Sequence, residues 1–190
     1  MFYVEDKDFI SKDQGRYLDE VVTKATYFPD FPWYLSPHQV VDDDKPYLFH
    51  SILNRSEDKK DGLAGFGPVD VNAPDESFNS AMGPFFMKLF NQFSKRNNIK
   101  YELIYRCCIN LSFSLSSSPT PHTDHPFTYK HFLIYLNDSD GDTCIFNEKE
   151  TEIEKRITPE KYKGVCFEKR LHYAEFPTNG LRFVVAFTFI

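Results

Sequence analysis

Residues 101–115 read YELIYRCCINLSFSL, and the segments that follow repeat one theme: SSSPTP (116–121), HTDHPF (122–127), YKHFLIYL (129–136), NDSDGD (137–142) and TCIFN (143–147). Short apolar runs alternate with turn segments rich in Ser, Pro, Asp and Gly, which is how successive β-strands are punctuated. After a charged stretch come GVCFEK (164–169), LHYAEF (171–176), the turn PTNG (177–180) and LRFVVAFTFI (181–190). No helix-length segment separates these runs, so an α/β sheet is excluded and a jelly-roll (double-stranded β-helix) is expected.

Working outward, the N-terminal half carries mixed signals. Asp13 to Thr26 (DQGRYLDEVVTKAT) spaces its apolar residues for one helical face. Pro84 to Asn97 (PFFMKLFNQFSKRN) opens with Pro and closes on basic residues, as helices prefer. Pro46 to Leu53 reads as a strand, and Arg55 to Ser77 as a loop long enough to act as a lid over a substrate. The expectation is one β-rich (α+β) domain over 1–190, in which residues 1–100 supply flanking helices and a substrate entrance and residues 101–190 the jelly-roll core.

The composition agrees. The 190 residues include 20 Phe and 11 Tyr, whose flat rings pack well on a pleated surface. A net charge of −6 argues against a protein built to wrap nucleic acid. The 4 cysteines form no C-x-x-C pair and no disulfide framework, which predicts a reducing cytoplasmic setting and no structural zinc. The first residues lack a basic segment followed by an apolar one, so no secretory signal is read. The longest apolar run, Phe183 to Ile190, is strand length and too short to span a bilayer.

Chemistry concentrates at three places. His122-Thr123-Asp124 puts an imidazole and a carboxylate two apart, on one face if the segment is a strand. His172 lies on another strand, where a closed sheet can bring it to the same ion. Two His and one carboxylate on one side of an octahedral metal leave three positions open, the arrangement that selects non-haem Fe(II) in oxygenases. His125 should point away from Asp124, and His131, His50 and His38 have no partner at metal spacing. Arg182 opens the last strand, ten residues beyond His172. A buried guanidinium needs an anion. Glu175 or Glu168 could supply it, or one end of a dicarboxylate whose other end chelates the metal.

Taken in order, P-H-T-D, I-Y-L-N-D, D-G-D-T-x-x-F, G-V-x-F and then His172 with Arg182 ten later resemble the prolyl 4-hydroxylase-like branch of the 2-oxoglutarate/Fe(II)-dependent dioxygenases. The resemblance covers residues 101 to 190. It implies Fe(II) held by His122, Asp124 and His172, with 2-oxoglutarate and O2 as co-substrates, and Arg182 on the far carboxylate of 2-oxoglutarate. It further implies Tyr135 as a second donor to that carboxylate and Asn110 as part of the co-substrate pocket. The outcome implied is hydroxylation of a C–H bond in a small-molecule or peptide substrate, such as a peptidyl proline. Asp140-Gly141-Asp142-Thr143 departs from the branch, where two glycines commonly precede the threonine. Two rivals are a non-catalytic jelly-roll module and a cupin-like metal enzyme of other chemistry; the first should lack part of the triad or the arginine, and the second should show three or more histidines.

Overall fold

The computed structural model describes residues 1–24, 31–40, 43–53 and 78–190. The loop expected at Arg55 to Ser77 therefore lies outside the described residues.

Among the described residues, ten strands form two sheets. The strands are β1 (Tyr3–Asp6), β2 (Tyr34–Ser36), β3 (Tyr47–Leu53), β4 (Ile104–Phe113), β5 (Lys130–Tyr135), β6 (Thr143–Phe146), β7 (Ile153–Ile157), β8 (Gly164–Glu168), β9 (His172–Ala174) and β10 (Leu181–Phe189). The large sheet runs β1-β8-β5-β10-β4-β3-β2 and the small one β7-β6-β9, with every recorded pairing antiparallel. This is the expected β-rich, jelly-roll architecture. The sheet does not stop at residue 101, because β1, β2 and β3 from the N-terminal half complete its two edges.

β10 explains why there are two cores. Its alternation sends Phe183, Val185, Phe187 and Phe189 to one face and Val184 and Ala186 to the other. The first face meets the helices. Helix α1 (Lys12–Leu18) starts on a capping box in which the Ser11 hydroxyl and the Gln14 amide satisfy each other's backbone N–H, and it continues into one π turn at Asp19–Thr23. Helix α2 (Gly83–Arg96) has Pro in its first turn and Lys95 and Arg96 in its last. Its Phe86, Leu89, Phe90 and Phe93 form one buried stripe. The Phe90 ring lies 5.7, 5.1 and 5.0 Å from those of Phe132, Phe187 and Phe189. Truncating such a ring costs about 3–5 kcal/mol. A side chain at Gly164 would collide with Phe9 and Phe93, so glycine there lets the helical layer sit directly on β8.

The second face of the large sheet looks at the small sheet. Between them Cys108, Leu133, Tyr135, Ile145, Val165, Phe167, Val184 and Ala186 are packed. Cys107 and Cys108 point to opposite faces, as adjacent strand residues must. All four cysteines are buried and outside any disulfide. Among the described residues, no helix is long and apolar enough to cross a membrane.

Candidate active site

A cavity of about 350 Å³ opens between the sheets. His122, Asp124 and His172 line it, and so do Asn110, Thr143 and Arg182. His122 and His172 are 50 residues apart in the chain, yet they form a two-way backbone bridge, His122 N–H to the His172 carbonyl at 2.9 Å and the reverse at 3.0 Å. An antiparallel pair presents its side chains on the same face, and the two rings stand 4.7 Å apart. The H-T-D segment is not a strand: it is this single bridge followed by a bend at Asp124. The three side chains still converge, each offering a donor atom within 4.8 Å of the others.

The protonation pattern suits a cation. Nδ1 of His122 faces the Thr120 carbonyl at 3.0 Å, and Nδ1 of His172 faces the Arg170 carbonyl at 2.9 Å. A carbonyl can only accept, so each ring carries its hydrogen on Nδ1 and turns the Nε2 lone pair inward. Asp124 Oδ1 lies 3.5 Å from His122 Nε2. Burial opposes the Asp124 charge, but the neighbouring His122 and the electrostatic influence of His131, Arg106 and His172 outweigh it and hold the carboxyl well below the ordinary range. For His122, burial is outweighed by Asp124 and the value rises; for His172, burial prevails and the value falls. One carboxylate and two imidazole rings with converging donor atoms form a set that fits a divalent transition metal.

At another part of the cavity wall Arg182 is 3 % exposed. Its Nε donates to the Gly141 carbonyl at 2.9 Å and its Nη2 to Thr143 Oγ1 at 2.8 Å. Neither neighbouring glutamate answers it. Glu175 pairs with Arg156 at 2.6 Å, and Glu168 pairs with Arg170 at 2.7 Å. Among the described residues, no carboxylate forms an ion pair with Arg182, and burial lowers its pKa. Such a cation, facing a cavity, calls for an anionic ligand.

Tyr135 is fully buried behind this arginine, its ring 5.6 Å from the guanidinium carbon. Its hydroxyl donates to Thr143 Oγ1 at 2.8 Å, and burial pushes its pKa up to about 12. Thr143 therefore collects donors from both Arg182 and Tyr135, and it is Thr143 that reaches the cavity. Asn110 lines the cavity on β4, accepting the Cys108 thiol at 3.3 Å. Gly141 answers the departure at D-G-D-T: a Cβ there would sit 2.5 Å from the Glu175 carbonyl oxygen and 3.2 Å from Arg182 Cδ. One glycine suffices because it stands at the point of closest approach.

His125 turns away from the three converging side chains, bonding Thr188 Oγ1 at 2.8 Å and stacking on Phe127. His50 is tied to the Pro32 carbonyl and Ser80. His131 is different. It lines the cavity and its ring lies 4.5 Å from that of His172, with Nδ1 3.8 Å from Asp124 Oδ2. Arg106, from β4, brings Nη1 to 3.9 Å from the same oxygen. Sequence spacing marked neither residue, although His131 shares the alternation of Tyr135 on β5.

No family model matches the sequence, and no curated protein matches it either. Solved structures do. An oxidoreductase of the 2OG-Fe(II) oxygenase family from Burkholderia pseudomallei superimposes with a TM-score of 0.60 at 14% identity, covering 98% of this chain and 84% of that one. The fold is that of the 2OG-Fe(II) oxygenases. A Pseudomonas putida prolyl-4-hydroxylase gives 0.60 at 13% identity, covering 98% and 91%. A Trichoplax adhaerens prolyl hydroxylase, solved with a hypoxia inducible factor peptide fragment, gives 0.62 at 12%, covering 99% and 83%.

Proposed function

We propose that this chain is an Fe(II)- and 2-oxoglutarate-dependent dioxygenase. The observation that carries the reading is Arg182, a buried guanidinium without a carboxylate partner among the described residues, in the same cavity as His122, Asp124 and His172. The 2OG-Fe(II) oxygenase fold supports it.

His122 Nε2, Asp124 Oδ1 and His172 Nε2 would hold the iron, which when bound supplies the activation of O2 that no side chain can perform. Arg182 receives the distal carboxylate of 2-oxoglutarate through its planar fork, with Thr143 beside it and Tyr135 holding both from behind. Asn110 contributes to the wall of the same pocket. The residues lining the cavity position the reactants. The substrate is a small molecule or a peptide whose C–H bond becomes hydroxylated, with a peptidyl proline the first to test. Four buried cysteines outside any disulfide accord with a cytoplasmic location.

A third imidazole near the group, His131, is the observation that favours a cupin-like metal enzyme. Its Nε2 already meets the Tyr129 hydroxyl, and it does not belong to the set of converging donors. The deciding experiment is anaerobic titration of the protein with Fe(II) and 2-oxoglutarate. A weak visible charge-transfer band that requires both is expected; its absence at saturating concentrations refutes the assignment.

A further inference from the structure

Asp124 meets Tyr129 at its backbone and His131, on β5, at its carboxylate. Its backbone N–H donates to the Tyr129 hydroxyl at 2.8 Å, and that hydroxyl lies 3.2 Å from His131 Nε2. The phenolic oxygen, having accepted the amide hydrogen, can offer its own hydrogen to Nε2. The imidazole hydrogen then resides on Nδ1, which faces Asp124 Oδ2 at 3.8 Å. The ring has little freedom to turn away. It is stacked on Phe167 at 4.6 Å and 22°, and it stands edge-on to Tyr129 and His172.

The two oxygens of Asp124 therefore meet different surroundings. Oδ1 faces the His122 imidazole at 3.5 Å, whereas Oδ2 faces His131 Nδ1 and the Arg106 guanidinium at 3.8 and 3.9 Å. A carboxylate free to rotate can chelate a cation with both oxygens and so occupy one more coordination position. A carboxylate with one oxygen drawn toward an N–H and a cation cannot do so as readily.

We propose that His131, backed by Tyr129, is a positioning residue that restricts Asp124 to one metal-bound oxygen and so keeps a coordination position open for the co-substrate. The proposal rests on the metal-centre reading above. Groups that orient a metal ligand from behind commonly account for about 10- to 100-fold in metal affinity.

The test uses the full chain with Co(II) in place of iron, because Co(II) reports its coordination number in the intensity of its visible bands. His131→Phe keeps the ring and its stacking but removes the N–H; it should weaken Co(II) binding by about 10- to 100-fold and lower the band intensity, as a two-oxygen carboxylate raises the coordination number. His131→Asn places an amide nitrogen where Nδ1 stood and should recover most of both properties. Tyr129→Phe deletes only the hydroxyl and should shift affinity in the same direction, so it decides the matter if His131→Phe does not fold. Wild-type affinity and spectrum in the folded Phe variants overturn the proposal, as does failure of His131→Asn to recover either property. A wild-type protein that takes up no Co(II), or whose uptake survives loss of His122 and His172 together, overturns the metal-centre reading and the proposal with it.

Discussion

Arg182 shows how a single side chain can carry a functional argument. Its Nε and one Nη are spent on Gly141 and Thr143, which fix the plane of the fork, and no carboxylate among the described residues forms an ion pair with it. Arg182→Met should leave metal binding intact while weakening 2-oxoglutarate binding by about 2–5 kcal/mol, the scale for truncating one member of a buried charge pair. Arg182→Lys should recover part of this, since a point charge cannot reproduce the fork. Calorimetry with Mn(II) replacing iron measures both; equal affinity in wild type and the Met variant would end the assignment. At the metal, His122→Ala, Asp124→Ala and His172→Ala should each remove most of the bound ion, because three donors leave no redundancy. Metal content after desalting checks this. Candidates of this kind are legible in a sequence because a ligand set has a spacing. His131 and Thr143 were not: each matters through what it holds in place, and that depends on which strands become neighbours.

At the scale of elements, the long apolar runs were the readable ones, and the misses share a cause. β7 lies in a stretch that reads as simply charged, yet Ile153 and Ile157 face inward while Glu154 and Arg156 face solvent. Its alternation was present, masked by the number of ionic residues. β1 and β2 are short edge strands of 4 and 3 residues, too brief to show a period. β1 is held by more than pairing with β8. Asp6 at its end accepts from Arg96 Nε at 2.9 Å and Asn97 Nδ2 at 3.1 Å at the close of α2, and from Asp8 N–H at 2.8 Å. Burial opposes its charge, but these partners outweigh burial and hold its carboxyl below the ordinary value. A depressed folded-state pKa contributes stability above the unfolded value of about 3.9, and that contribution is lost as pH falls through the folded value. Asp6→Asn should therefore lower the urea midpoint at pH 7, with the gap to wild type closing as the pH is taken toward 3. A gap that stays constant over that range would show that charge at this position does not join β1 to α2.

Across the whole molecule, the site is the place where two sheets and a connecting segment meet. His172 belongs to the small sheet, Arg182 to the large one, and Asp124 to the segment between β4 and β5. On the proposed reading, an ion on the triad would tie the small sheet to that segment, and 2-oxoglutarate reaching from the ion to Arg182 would extend the tie to the large sheet. The unfolded chain has none of these geometries, so each ligand should stabilise the folded protein as RT ln(1 + [L]/Kd), about 2.7 kcal/mol at a hundred times Kd. For a chain of this size, about 2–4 °C per kcal/mol translates that into a rise in melting temperature of roughly 5–11 °C for each ligand at that ratio. The increments should be ordered: Mn(II) alone raises the melting temperature, and 2-oxoglutarate adds its share once the ion is present. In Arg182→Met the first increment should persist and the second should shrink toward zero, whereas in His172→Ala both should vanish. A thermal melt of the three proteins with and without each ligand reads all of this. A second increment that survives intact in Arg182→Met would mean that the dicarboxylate does not bridge to the large sheet, and a wild type indifferent to Mn(II) would mean that the three converging side chains do not hold an ion.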